Sequence, residues 1–363
     1  MARGTGGEEA GRGRGFAWLA GVLSMAFVIG LVPADGSAKV QGQDDPDNRG
    51  RFCSATAAAL FDACGDEVEA DHATARAICI NISDGDERED CRADAMESRR
   101  EGGELCREQL AGRREACALL GEDRYDPEFE PASFDDDFEN PMNPNPYFPL
   151  GIGNQWEYRG GTEFNTVEVL DRTKLIEGVT CIVVRDQVMK DGHLVEDTDD
   201  WFAPAKSGDV FYCGEEVKDY ETFPGDDPLL PELVSIAGSF KWGRDGDKGG
   251  VIFPASPMPG QVYREEASLG NAEDVTEILS TTYAFGNDPE LDQFVPQALA
   301  DLLCDDDCVV TRNFSLLEPG VFARKYYARG IGFFLEVDPD TGEILQLVDC
   351  NVDLLLCGML PDP

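Results

Sequence analysis

The sequence is short of histidine and lysine: two histidines, His72 and His193, and eight lysines stand among 363 residues. Two histidines exclude His-rich zinc sites and bis-histidine haem ligation, and leave a histidine-based triad without support. No Cys-x-x-Cys occurs, which removes thioredoxin-type redox chemistry and the zinc-ribbon spacing. GxSxG, HExxH and GxxxxGK[ST] are absent, as is a GxGxxG leading from a strand into a helix, so no cofactor is expected. Positive charge is scarce too: 30 bases face 72 acids, a net charge of −42. Such a field repels nucleic acid and anionic lipid, and admits cations or cationic partners. With 42% hydrophobic residues the chain can still build a core, and its length allows two domains.

What is present begins with an export signal over 1–38. Arg3, Arg12 and Arg14 form a positive start, 16–32 is an apolar run without charge, and Pro33 to Ala38 offers small residues for cleavage. An uncleaved anchor is the competing reading, because 17 apolar residues sit at the short limit for a span. No later run is long enough, so no membrane span is expected once the signal is removed. The protein is then secreted, periplasmic or otherwise extracytoplasmic, and its twelve cysteines form an even set for disulfides. Cleavage removes three acids and three bases, so the mature chain keeps the whole −42.

After a flexible segment at 39–50, six cysteines lie within 51–120: Cys53, Cys64, Cys79, Cys91, Cys106 and Cys117. Their separations are 11, 15, 12, 15 and 11, a palindrome. Two antiparallel helices with matching rungs explain it, joined by the turn-rich 81–86 and paired Cys53–Cys117, Cys64–Cys106 and Cys79–Cys91. Alanine at 55 and 57–59, and the Ala, Glu, Arg and Leu of 88–120, favour helix. Gly102-Gly103 marks a weak point or kink. A three-helix module with breaks near 65–71 and 102–103 is the rival, but its cysteines could not all pair level by level.

An acidic, Pro/Asn-rich linker follows at 121–146, with Phe129, Phe134 and Phe138 placed to stitch it to a neighbouring surface. Its Asp135-Asp136-Asp137 run lacks the EF-hand pattern and reads as a solvated face. From 147 to 349 short β-type segments recur, and Asp191-Gly192 gives the strongest hairpin signal. Strands are expected over 181–190, 193–203, 210–214, 233–242, 262–267, 275–285, 308–316, 322–328, 332–337 and 343–348. One inserted helix, 289–303, is expected to kink at Pro296. The fold class is therefore α+β and multidomain: a stapled helical hairpin, then a mainly antiparallel, barrel-like β domain, with a sandwich as the alternative. A tail at 350–363 carries the last disulfide. The second cysteine set is read as Cys181–Cys213, Cys304–Cys308 and Cys350–Cys357.

The segment Tyr147-Phe148-Pro149-Leu150-Gly151-Ile152-Gly153-Asn154-Gln155-Trp156-Glu157-Tyr158 resembles the start of a family of exported bacterial domains of unknown function. Residues 196–201, Phe211-Tyr212-Cys213-Gly214-Glu215 and 325–332 resemble its later motifs in order. The resemblance implies a lipocalin-like or half-barrel domain over about 147–349, and supplies no catalytic residues.

For function, Trp156, Tyr158, Trp201, Phe211, Tyr212 and Trp242 are the candidate ligand-binding residues; Phe202 stands with them, and ordinary core packing is the alternative. Glu157, Glu168, Asp186, Glu196 and Glu215 lie on or near strands, where the wet side of a sheet is the expected place. No metal site or catalytic set emerges. Three readings stand: a noncatalytic secreted or envelope protein whose β domain binds an apolar ligand, a glycan or a protein; an acidic, cation-associated interaction protein without a small ligand; and a secreted carboxylate-dependent hydrolase.

Overall fold

The computed structural model describes residues 50–361. The signal peptide assigned to 1–38, and the segment 39–50 apart from Gly50, lie outside the described residues. Two long helices come first, α1 (Phe52–Ile80) and α2 (Gly85–Leu120). Asp84 caps α2 by accepting from the amides of Asp86 and Glu87 at 2.9 and 3.1 Å. Glu122, just past α2, closes the other end of the pair by accepting from the Ser54 amide at 2.9 Å.

Little apolar surface holds the helices together: besides the cysteines, Ala57, Ala95 and Ala116 are their buried apolar residues, and Ala116 packs on the β domain. Disulfides Cys53–Cys117, Cys64–Cys106 and Cys79–Cys91 stand in for a core. In the chain-entropy picture each contributes about 3–4 kcal/mol. Neither helix breaks near 65–71 or at 102–103. Gly102 is a contact point, since a Cβ there would come within 2.9 Å of Val68 Cγ2. His72 links the two helices, its Nδ1 lying 2.9 Å from the Ala95 carbonyl across the pair.

The rest is mainly one antiparallel sheet. Its strands are β1 (Gln155–Gly160), β2 (Glu163–Ile176), β3 (Val179–Lys190), β4 (His193–Pro204), β5 (Val210–Glu216), β6 (Asp219–Glu221), β7 (Glu232–Ser235), β8 (Phe240–Lys241), β9 (Lys248–Gly249), β10 (Val251–Phe253), β11 (Val262–Arg264), β12 (Glu266–Ala267), β13 (Asp274–Tyr283), β14 (Cys308–Ser315), β15 (Ala323–Ala328), β16 (Gly332–Val337) and β17 (Ile344–Cys350). Asp191-Gly192 takes positive φ at both residues (52° and 82°), the two-residue turn its dipeptide favours.

The main ladder runs β10-β5-β4-β3-β2-β1-β17-β16-β15-β14-β13-β11 and is open, because β10 and β11 at its ends do not pair. The sheet is therefore not a closed barrel. It nevertheless curls about a common interior: Phe253 of β10 packs on Tyr327 of β15 with ring centroids 4.7 Å apart. Gly249 and Gly250 lie at the seam. A Cβ on Gly249 would sit 1.7 Å from the Tyr212 carbonyl, and one on Gly250 2.3 Å from that of Arg264, so only glycine allows this approach.

Three expected elements change; the strand expected over 262–267 divides into β11 in the main sheet and β12, which pairs with β9. The helix expected over 289–303 forms only as α3 (Gln297–Leu303), because Pro296 becomes its N-cap and the residue before a proline avoids the helical region. The strand expected over 233–242 divides into β7 and β8 around Gly238 at φ 86°. A last short helix, α4 (Leu354–Cys357), is tied back by Cys350–Cys357. Cys304–Cys308 closes the loop after α3, and Cys181–Cys213 joins β3 to β5. The hairpin docks on the β domain through the end of α2, where Gln109 donates to the Leu317 carbonyl at 2.9 Å and Ala116 packs with Val275 and Leu316. Among the described residues no helix is long and apolar enough to cross a membrane.

Candidate functional site

Alternation along the strands sends the six aromatic candidates to two different faces. Trp201 and Trp242 are buried on the outer face with Cys181 and Cys213, and Phe211 packs against them. The linker covers this face: Phe129 stacks on Trp242 at 3.8 Å, and Phe134 meets Phe211 edge-on at 5.1 Å. The Lys174 ammonium sits 3.2 Å from the Trp201 ring centre. Phe138, the third linker aromatic, is buried in the inner core instead.

Trp156, Tyr158 and Tyr212 belong to the inner core, with Phe202. The Trp156 indole donates to the Ile331 carbonyl at 2.9 Å, and the Tyr158 hydroxyl to that of Phe333 at 3.1 Å, which fixes both rings. Phe202 stacks on Tyr212 at 5.0 Å. The aromatic end of the interior leaves a cavity of about 40 Å³ beside Tyr147, Phe148, Trp156, Tyr158, Phe202 and Phe333. That space takes water-sized groups rather than a large apolar ligand.

The other end of the same interior is acidic. The register puts Val167, Asp186 and Thr198 side by side on β2, β3 and β4, then Val184 beside Asp200, and Asp200 directly opposite Glu215 on β5. Directly opposed residues have Cβ atoms about 5 Å apart. Asp186, Asp200 and Glu215 are buried, so they do not lie on the wet side of the sheet. Glu196 is partly buried on the same β4 face, Glu157 on β1 is partly buried too, and Glu168 is exposed. Glu163 joins from β2, Glu265 and Glu266 from the β11–β12 edge, Asp274 from β13 and Glu336 from β16. Alternation alone could not reveal this face, because its carboxylates interrupt the apolar series that marks a core.

Burial is the first cause of every carboxyl shift here, since it disfavours the charged form. It pushes Glu163 up to about 7 and Glu196 up to about 8. Asp200 rises to about 7 even though the Tyr212 hydroxyl donates to it at 2.6 Å. Asp274 also rises to about 7, through burial and then the charge of Glu265. Asp186, Glu215 and Glu266 are held well above the usual carboxylate range, and Glu265 and Glu336 are raised. Lys325 is the ammonium in this interior. Burial would lower its pKa, but Glu336, Glu265, Asp274 and Glu266 together raise it.

The two halves of the acidic end differ in how they are satisfied. Around Lys325, Glu336 makes a 3.8 Å ion pair, and Glu265 accepts from the Asn313 amide at 2.7 Å and from Thr276. Around Asp186 there is much less. Asp186 is 0% exposed and neither of its oxygens has a hydrogen-bond partner. One oxygen each of Glu163, Asp200 and Glu215 is likewise unpartnered, as is one each of Glu266, Asp274 and Glu336 in the Lys325 half, so among these carboxyls Asp186 stands out in having both oxygens unpartnered. An orphaned buried polar group costs about 1–3 kcal/mol, more when charged. Among the described residues, no three His, Cys, Asp or Glu side chains converge closely enough to hold a metal ion. Comparisons with known proteins found no matching family, no curated relative and no solved structure of similar fold.

Proposed function

We propose that this is a noncatalytic binding protein of an extracytoplasmic, oxidising compartment, whose β domain takes a ligand on its inward face while the stapled hairpin positions that domain. The unpartnered Asp186 carboxyl inside the curled sheet carries the reading: a buried polar group without a partner in its own chain calls for an explanation, and a group supplied by a ligand is one. Six disulfides fit the compartment. The resemblance of 147–349 to exported half-barrel domains agrees with it. The aromatic cavity of about 40 Å³ argues against a bulky apolar ligand.

The test is thermal denaturation of the full chain with a fatty acid, a neutral oligosaccharide, an organic amine and calcium chloride in turn. At least one is expected to raise the midpoint; no response to any of them contradicts binding. A carboxylate hydrolase is the second reading, and Asp200 opposite Glu215 is the pair it would use. Both are buried, whereas a hydrolytic pair must flank a bond in an open cleft. Glycoside hydrolysis that Glu215→Gln abolishes would replace the binding reading.

A further inference from the structure

We infer that a separate site, between α2 and the outer face of β14, binds short apolar peptides by their two charged ends. It lies apart from the inward face and does not rest on the binding reading above. A cavity of about 350 Å³ opens where the hairpin meets the β domain. Small-molecule clefts have this size and favour such junctions. α2 forms one wall through Glu108, Gly112 and Glu115; β14 and the turn after it form the other through Arg312, Phe314 and Val321. Strand alternation keeps the site away from the acidic interior. Asn313 of β14 donates to Glu265 inside the sheet and accepts from Thr311, so Arg312 and Phe314 project outward.

The cavity is framed by contacts on both sides. The Arg113–Glu273 fork and the bond from Gln109 to the Leu317 carbonyl fix α2 against the sheet. Gly112 keeps the space beside the turn clear, where a Cβ would lie 3.6 Å from Pro319. A site already framed in the free protein needs little ordering when a ligand enters.

The facing walls carry opposite charges that the chain leaves short of partners. Arg312 lies 4.8 Å from the ring centres of both Phe314 and Phe322, which position its guanidinium. Its ion-pair partner, Glu277 across on β13, stands at 3.6 Å, beyond hydrogen-bond range. Its neighbour on β15, Arg324, is engaged by the Glu290 and Gln293 carbonyls. The Arg312 fork is therefore left for a ligand carboxylate, whose planar geometry it matches. Glu108 and Glu115 stand seven residues apart, about 10 Å along one face of α2. No lysine or arginine lies three or four positions from either on the helix. Among the described residues the ion pairs at this junction are Arg113–Glu273 and Arg312–Glu277, so neither glutamate has a cation of its own.

Opposite charges on facing walls select a zwitterion, because the glutamates repel a lone carboxylate and Arg312 repels a lone amine. A helix carries one sign and a strand the other. They suit the separated ends of a peptide of two or three residues, about 7–10 Å long when extended, rather than the adjacent charges of one amino acid. Phe314 and Val321 line the space between, where apolar side chains leave water.

The test is titration calorimetry of the full chain at low salt with leucyl-leucine as the probe. A dissociation constant below about 1 mM is expected. Leucyl-leucine amide, which lacks the carboxylate, N-acetyl-leucyl-leucine, which lacks the ammonium, and free leucine are each expected to bind about tenfold more weakly. Arg312→Gln is expected to weaken the dipeptide about tenfold and to leave the amide's affinity unchanged, because the amide lacks the group that Arg312 holds. Glu115→Gln, an exposed change, is expected to weaken the dipeptide about threefold, the worth of a solvated charge pair. Asp186→Asn on the inward face is expected to leave it unchanged. No binding of leucyl-leucine, equal affinity for its amide or for free leucine, or an affinity undiminished in both Arg312→Gln and Glu115→Gln overturns the inference.

Discussion

Arg113 of α2 grips Glu273, just before β13, with two hydrogen bonds: Nε to Oε2 at 3.0 Å and Nη2 to Oε1 at 2.7 Å. Both side chains are buried, at 5% and 1% exposure, so this fork joins the stapled hairpin to the β domain in a water-poor contact. Removing one partner strands the other, a loss of about 3–5 kcal/mol for a buried pair. Arg113→Met is therefore expected to lower the urea midpoint or free the hairpin to protease. Arg113→Met combined with Glu273→Met is expected to recover most of the loss, because neither charge is then left alone. Tryptophan fluorescence follows the β domain, and limited proteolysis follows the hairpin. A double variant as unstable as the single one would show that the fork is not the source of the docking energy.

The adjacent glycines of α2 separate packing from propensity. Gly103 has open space around its Cα, so Gly103→Ala is expected to stabilise the hairpin by about 0.5–1 kcal/mol through helix propensity. Gly102→Ala gains the same propensity but meets Val68, and overpacking a tight site costs about 1–3 kcal/mol. It is expected to be neutral or destabilising. Helical circular dichroism on heating compares the two, and equal gains would contradict close packing at Gly102.

The helical hairpin was the most legible part of the sequence, because the cysteine palindrome repeats the rungs of a two-helix ladder. Antiparallel β structure was legible as well, through turn signals such as Asp191-Gly192. Closure was not: whether β10 meets β11 depends on how far the sheet coils, a property summed over many strands that no local pattern carries. The faces of the aromatics were equally hidden. Trp201 and Phe202 are sequence neighbours on opposite sides of β4, and a bulge between them alters the register with β5. The acidic interior was missed for a physical reason. A carboxylate on a strand is ordinarily on the solvated face, and only the placement of β15 and β16 opposite β3 and β4 puts Asp186 inside.

Stability is expected to fall as pH rises from about 4.5 to 8. The interior carboxyls have raised folded-state pKa values, with Glu163, Asp200 and Asp274 at about 7 and Glu196 at about 8. In that window the folded state binds more protons than the unfolded one, so the slope of unfolding free energy with pH is negative. Each carboxyl titrating alone would contribute about 1.4 kcal/mol per pH unit, and interacting ones share the effect. Lys325, with its raised pKa, contributes stability that persists through this window and is lost only at higher pH. Urea midpoints at pH 5, 6, 7 and 8 check the sign. Asp186→Asn should flatten the dependence and Glu168→Gln should not. Stability increasing over the window would contradict a protonated interior.

The most direct test is the protonation state of Asp186 itself, followed by carboxyl carbon-13 NMR of the full chain, with the resonance assigned by its absence in Asp186→Asn. The account predicts that Asp186, held above the usual carboxylate range by burial, is neutral at pH 7. An Asp186 that is already ionised at pH 7 would contradict it.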